Sequence, residues 1–411
     1  MYQTAARTWL TLAGCSLLLS PSARLVYWLP LHLTLAGAVS LAIAGAMQNF
    51  AAALTSTGSP PERWVWTQFA TMNAGVALIA LGRPLALPVV VAVGGASFVT
   101  GAVILLAIVR RAVRRSLHER HRLPVWMYSA AVGFVIIGAA LGALMGSGVI
   151  HDARTEIALI HAHMTVNVLG WVSLTIVATL ITLLPSILRV KLPRWHGTAT
   201  AALLVTGPAL LASGLAFDRT VVVALGGLCE LAGALGAAWM VSKVMRTPRR
   251  WAIPVSALHL LAGFCWFLIG SMALAMSATH GVVGFDAFVL DFLTMFVGGW
   301  MVQVLLGAWS FLLPMGRPGH PDERRIGLGA IEFAAWIQLA LLNAGVALMS
   351  LRAAGWVGPP AGSVGVRLAL IGAGIALVKA WAFPMLGTMG LADRRGEAVW
   401  GRARLPQTDR D

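Results

Sequence analysis

Apolar stretches of about 20 residues recur along the whole chain, and each is long enough to cross a bilayer core of about 30 Å. Nothing else constrains the fold as strongly. Only 11% of the 411 residues are charged and 58% are hydrophobic, with a mean hydropathy of +0.82; a soluble domain carries about 25% charged residues. The chain therefore reads as an all-α, polytopic membrane protein. No segment between the apolar runs is long enough for a separate soluble domain, so residues 1–411 read as one membrane domain with a cytoplasmic tail at 390–411.

Twelve spans follow: 8–20, 26–54, 65–82, 85–109, 126–148, 157–188, 198–216, 220–242, 252–277, 286–314, 328–351 and 363–389. The net charge of +15 finds its explanation in their order. The N-terminus, the C-terminus and the loops after even-numbered spans hold 23 of the 30 basic residues, and the opposite face holds six. The positive-inside rule then places both termini in the cytoplasm, and Trp64, Trp66, Trp126, Trp195 and Trp251 stand at the boundaries as an interfacial belt. The basic charge is a matter of topology, and no nucleic-acid partner is implied. The lipid bilayer is the implied partner, in a bacterial plasma membrane. The first span, "TWLTLAGCSLLLS", is short enough to serve either as a retained helix or as a signal-peptide core. Cys15, Cys229 and Cys265 fall within spans, form no motif and read as small packing residues.

The sequence also repeats. "LAGAVSLAI" (35–43) matches "VLGWVSLTI" (168–176), and "GWVSLTIVATLITLLP" (170–185) matches "GWMVQVLLGAWSFLLP" (299–314). Gly37, Gly170 and Gly299 are 133 and 129 residues apart and fall in spans two, six and ten. The unit is four helices, roughly 1–120, 121–250 and 251–389. An even-numbered unit keeps its orientation, so the symmetry axis runs along the membrane normal, unlike that of inverted-repeat transporters. Small residues on these spans also permit close helix packing.

Three four-helix units with histidines in "LHLTLAGAVSLAIAGAMQNFAAAL" (31–54) and "IHAHMTVNVLGWVSLTIVATLITLLPSILR" (160–189) resemble subunit I of the haem–copper oxidase and nitric-oxide reductase superfamily. More closely, the chain resembles the NnrS-type and copper-oxidase-like bacterial membrane proteins. The resemblance implies haem and/or copper as cofactors, with His32 similar in position to an axial haem ligand and His161 or His163 to a copper ligand. The chain also departs from the family. It contains no His-His pair, and span ten reads "VLDFLTMF" (289–296), with Asp291 and no histidine. The complete oxidase ligand set is absent, and the resemblance does not extend to oxygen reduction.

The residues themselves narrow the site. His32, His161, His163 and Asp291 all lie within a few residues of the outer ends of spans two, six and ten. Ionisable groups inside a membrane segment are functional candidates by default; the alternative is a histidine bonded to a carbonyl or water near the interface. Residues two apart on a helix point about 200° apart, so His161 and His163 cannot face one metal on a regular helix. Asp152 and Thr155 mark a helix start before them. One of the two is expected to face the bundle centre and the other an adjacent pore, with His32 joining one of them to bind the cofactor or metal and Asp291 either accepting from a histidine or ligating the metal itself. Met272, Met276 and His280, spaced four apart, form one stripe whose soft thioethers and imidazole suit Cu(I), although methionine is also an ordinary packing residue. Glu230 and His259 are candidate proton-relay groups within spans eight and nine, each with a hydrogen-bonded structural alternative. Lys379 reads as snorkelling to the inner face. His118, His121, His196 and His320, in basic loops, and His151 read as solvated.

The functions compatible with this pattern are a haem- or copper-binding membrane protein acting in redox chemistry, nitric-oxide response or metal homeostasis, a transporter for a metal or small solute, and a non-catalytic partner of a periplasmic copper enzyme. No Cys-x-x-Cys-His motif is present, so a redox role draws its electrons from quinol or a periplasmic redox protein.

Overall fold

A computed structural model describes residues 1–116, 122–191, 197–248, 253–315, 329 and 331–386, with side chains as far as 382. His118, His121, His196 and His320, and the 390–411 tail, lie outside the described residues. Contacts divide the chain into two compact units, Met1–Ala252 with Gly263–Val302, and Ile253–Ala262 with Gln303–Asp411.

Every long element among the described residues is a helix: α1 (Tyr2–Ser16), α2 (Trp28–Thr55), α3 (Glu62–Gly82), α4 (Pro88–Arg115), α5 (Arg122–Gly146), α6 (Ala153–Leu188), α7 (Thr198–Ala216), α8 (Thr220–Arg246), α9 (Val255–Ala278), α10 (Gly281–Met315), α11 (Ala335–Ala353) and α12 (Pro359–Leu386). Helices α2 to α12 are long and apolar enough to cross a membrane. Helix α1 is not: it starts and ends earlier than the expected 8–20 span, and its 15 residues rise only about 22 Å. Its first turn is held by a buried polar cluster. The Tyr2 hydroxyl donates to Gln68 Oε1, while Gln48 Nε2 donates to Tyr2 Oη and to Gln68 Oε1, both at 3.0 Å. Gly45 leaves room for the Tyr2 ring, since a Cβ there would stand 2.6 Å from Tyr2 Cβ.

The repeat has a backbone counterpart. Helices α2, α6 and α10 each contain a π-helical segment, Leu33–Val39, Val166–Ser173 and Leu293–Val302, and each segment carries one of the repeat glycines. In a π turn the carbonyl is met from five residues on. The Ser40 hydroxyl donates to the Leu35 carbonyl at 2.7 Å, and the Ser173 hydroxyl to the Val168 carbonyl at 2.9 Å. These hydroxyls in turn accept the indole N–H groups of the next unit: Trp171 Nε1 to Ser40 Oγ at 3.0 Å, and Trp300 Nε1 to Ser173 Oγ at 3.1 Å. The third such pair would join Val302 to Ala38, where the register holds two apolar residues. Donor and acceptor are lost together, so no polar atom is left stranded.

Each repeat glycine also receives an aromatic ring from the first helix of its own unit. A Cβ on Gly37 would stand 2.8 Å from Trp9 Cγ, on Gly170 2.4 Å from Phe134 Cγ, and on Gly299 2.5 Å from Trp266 Cγ. Helices α2, α6 and α10 are the most buried of the candidate spans, with 56%, 89% and 56% of their central windows buried against 11–44% for the others. Glycine at the contact brings the helices close, and the aromatic fills the space that closeness creates.

A candidate cofactor pocket between two histidines

Helix α6 starts where its sequence signals start it, slightly before the expected 157. Asp152 is the N-cap, and its carboxylate accepts from Thr155 N at 2.8 Å and Thr155 Oγ1 at 2.6 Å. Those two bonds hold the Asp152 carboxyl below the usual carboxylate range. The α-helix is regular through His161 and His163 to Thr165. The π segment begins only after them, at Val166, and interrupts what the sequence had implied to be regular helix to 188. The two histidines accordingly part company.

His163 meets His32. Their ring centres are 6.2 Å apart and their planes lie 16° from parallel. His32 Nδ1 is 2.8 Å from the Trp28 carbonyl, and His163 Nδ1 is 2.8 Å from the Gly138 carbonyl. A carbonyl can only accept, so each Nδ1 carries the proton and each Nε2 keeps a free lone pair. Supports surround both rings. Trp28 stacks on His32 with centres 4.0 Å apart. Asn167, one turn after His163, donates from Nδ2 to the His163 carbonyl at 2.8 Å and fills the hollow left by Gly138. Gly142 is also required, because a Cβ there would stand 2.9 Å from His163 Cε1.

Both histidines line a cavity of about 310 Å³ whose walls are mostly apolar. Trp171 and Ser40, the first inter-unit pair, line it as well. Arg83, which caps the end of α3, and Glu156, in the first turn of α6, place two charges where these helices share one end. Among the lining side chains Arg83, Glu156 and Asn167 were not singled out from sequence. Asn167 was within reach, since it lies four residues from His163 and so on the same helix face.

His161 turns elsewhere. Its ring packs edge-on against Phe285, with centres 5.1 Å apart, and its Nε2 lies 3.4 Å from Asp286 Oδ1. The acid that approaches a helix-six histidine is therefore Asp286, not Asp291. Five residues separate them, which is about 140° around a helix. Asp291 Oδ1 is buried without a hydrogen-bond partner.

The other candidates are dispersed. Met272 and Met276 are exposed on α9 and His280 is exposed beyond its end. Glu230 is buried in α8, its Oε2 unpartnered and opposite Gly207. His259 is fully buried and lies 3.2 Å, Nε2 to Nε2, from Gln338. The Lys379 ammonium donates to the carbonyls of Ile331, at 3.4 Å, and Phe333. His151 is exposed, as expected of a solvated loop residue. No group of three His, Cys, Asp or Glu side chains that could hold a metal ion occurs among the described residues. The cysteines are free.

No protein-family model matches the chain, and none of the curated proteins is significantly similar to it.

Proposed function

We propose that the cavity between α2 and α6 is a haem site that His32 and His163 would hold, and that the protein carries electrons within the membrane. The observation behind this reading is the paired tautomer. Two imidazoles face one cavity with Nδ1 held by backbone carbonyls, which is how ligating histidines are oriented. The two ring centres are 6.2 Å apart on one cavity, so a single bound group would meet both. The cavity falls in the size range of small-molecule sites, about 300–1,000 Å³.

Its walls favour a flat amphiphile over a bare ion. The interior is apolar, and Arg83 offers a positive charge to the carboxylates of such a molecule. When bound, haem would supply one-electron exchange. The chain's own residues do the rest. His32 and His163 hold the group, Trp28 and Asn167 keep the imidazoles oriented, and the apolar walls exclude water.

The test is absorption spectroscopy and metal analysis of the purified protein and three variants. His32→Ala and His163→Ala should lose bound haem, while His161→Ala, which faces Phe285 and Asp286, should keep it. A colourless, metal-free wild type, or full retention in all three variants, would overturn the reading. Copper without haem, lost with the same two variants, would keep the pair and remove the tetrapyrrole.

A further inference from the structure

Three large polar side chains of the second unit are buried with an atom left unpartnered. Gln338, on α11, is 1% exposed and Gln303, on α10, 0%, and the Oε1 of each is buried with no hydrogen-bond partner. His259 is 0% exposed and its Nδ1 is likewise unpartnered. The contact between Gln338 Nε2 and His259 Nε2 does not relieve this. With the amide donating, His259 carries its proton on Nδ1, and that N–H has no acceptor. Turning the amide over moves the proton to Nε2 and leaves Nδ1 an acceptor with no donor. Either way two polar atoms are stranded. Buried polar groups that the protein leaves unpartnered are met by ordered water.

Room exists for it. A cavity of about 10 Å³, close to the smallest that holds one water, is lined by Gln338, Ser310 and Lys379. A water there stands beside the Gln338 side chain, with a donor in the Lys379 ammonium and an acceptor in the Ser310 hydroxyl, whose own proton goes to the Leu306 carbonyl. Lys379 is already fixed by the Ile331 and Phe333 carbonyls, so its remaining N–H need not be ordered anew. Gln303, whose Nε2 donates to Asn343 Oδ1 at 3.3 Å, continues the polar surface about 7 to 8 Å further along α11, the rise from Gln338 to Asn343.

We infer that the polar interior of the second unit is hydrated, with water entering by the Lys379 pocket and giving solvent protons access to His259. The ligand is water and the activity is proton exchange with the membrane interior. The inference uses none of the residues of the His32–His163 cavity and stands whether or not that cavity holds haem.

Hydrogen exchange of side-chain N–H groups tests it in the wild-type protein. The ¹⁵N-labelled His259 ring, assigned by its loss in His259→Gln, should exchange with deuterated water soon after mixing, although the residue is fully buried. The Trp300 indole N–H, equally buried but bonded to Ser173, is the dry reference. Replacing Gln338 by Leu or Lys379 by Met should slow exchange at His259 at least tenfold and leave Trp300 unchanged. A His259 ring as protected as Trp300 in the wild type overturns the inference even if neither variant folds. Fast exchange that neither substitution slows overturns the route through the pocket.

Discussion

Ser173 carries two bonds on one oxygen, and its removal can be worked through quantitatively. The hydroxyl donates to the Val168 carbonyl across the π turn and accepts the indole N–H of Trp300. Both side chains are buried, Ser173 at 1% and Trp300 at 0% exposure. Ser173→Ala keeps the backbone but leaves the Trp300 N–H without an acceptor in a site water does not reach. A stranded buried donor costs about 1–3 kcal/mol. In a Trp300→Phe background no donor remains to strand, so the same Ser173→Ala change should cost only the carbonyl bond, about 0.5–1.5 kcal/mol. The carbonyl bond is lost in both backgrounds and cancels, so the coupling energy is that of the stranded donor, about 1–3 kcal/mol, within the range for residues in contact. The chain contains its own version of the double variant, since the register of the third pair holds Val302 and Ala38. Equilibrium unfolding of the four proteins in mixed micelles measures the cycle. Equal cost of Ser173→Ala in both backgrounds would refute the idea that these bonds tie successive repeat units together.

Two further substitutions probe the site and the first helix. Gly142→Leu should abolish cofactor binding while the protein remains folded, because even its Cβ would stand 2.9 Å from His163 Cε1; full cofactor content by absorption spectroscopy would count against the proposed cavity. Gln48→Leu should destabilise the Tyr2–Gln48–Gln68 cluster by about 1–3 kcal/mol through the partners left unpaired. Backbone hydrogen exchange should then rise selectively in Tyr2–Ser16, and unchanged protection there would show that apolar packing alone holds α1.

Much of the site was legible because helices translate sequence spacing into direction. The two-residue separation of His161 and His163 sets them on different faces whatever the fold, and the structure sends one to His32 and the other to Phe285. The choice between them was not legible, since it depends on which neighbours pack on each face. Asp291 illustrates the limit. Its place near the outer end of the span gives its depth, but depth does not fix the direction a side chain takes around the helix, and Asp286 is the acid that meets His161. Arg83 was legible only as a charge in a loop, because its role depends on where α3 ends relative to α2 and α6.

By itself the sequence determined the all-helical membrane class, through runs too apolar for water and long enough for lipid, and the four-helix repeat, through Gly-Trp and Leu-Leu-Pro at one spacing. Those properties are local or periodic, and a chain carries them before it folds. Only the tertiary structure decided that the repeat glycines sit in π turns against Trp9, Phe134 and Trp266, that tryptophan of one unit bonds serine of the preceding one, and that His32 and His163 share a cavity. Each is a contact between residues far apart in the chain, made by packing that no single helix specifies.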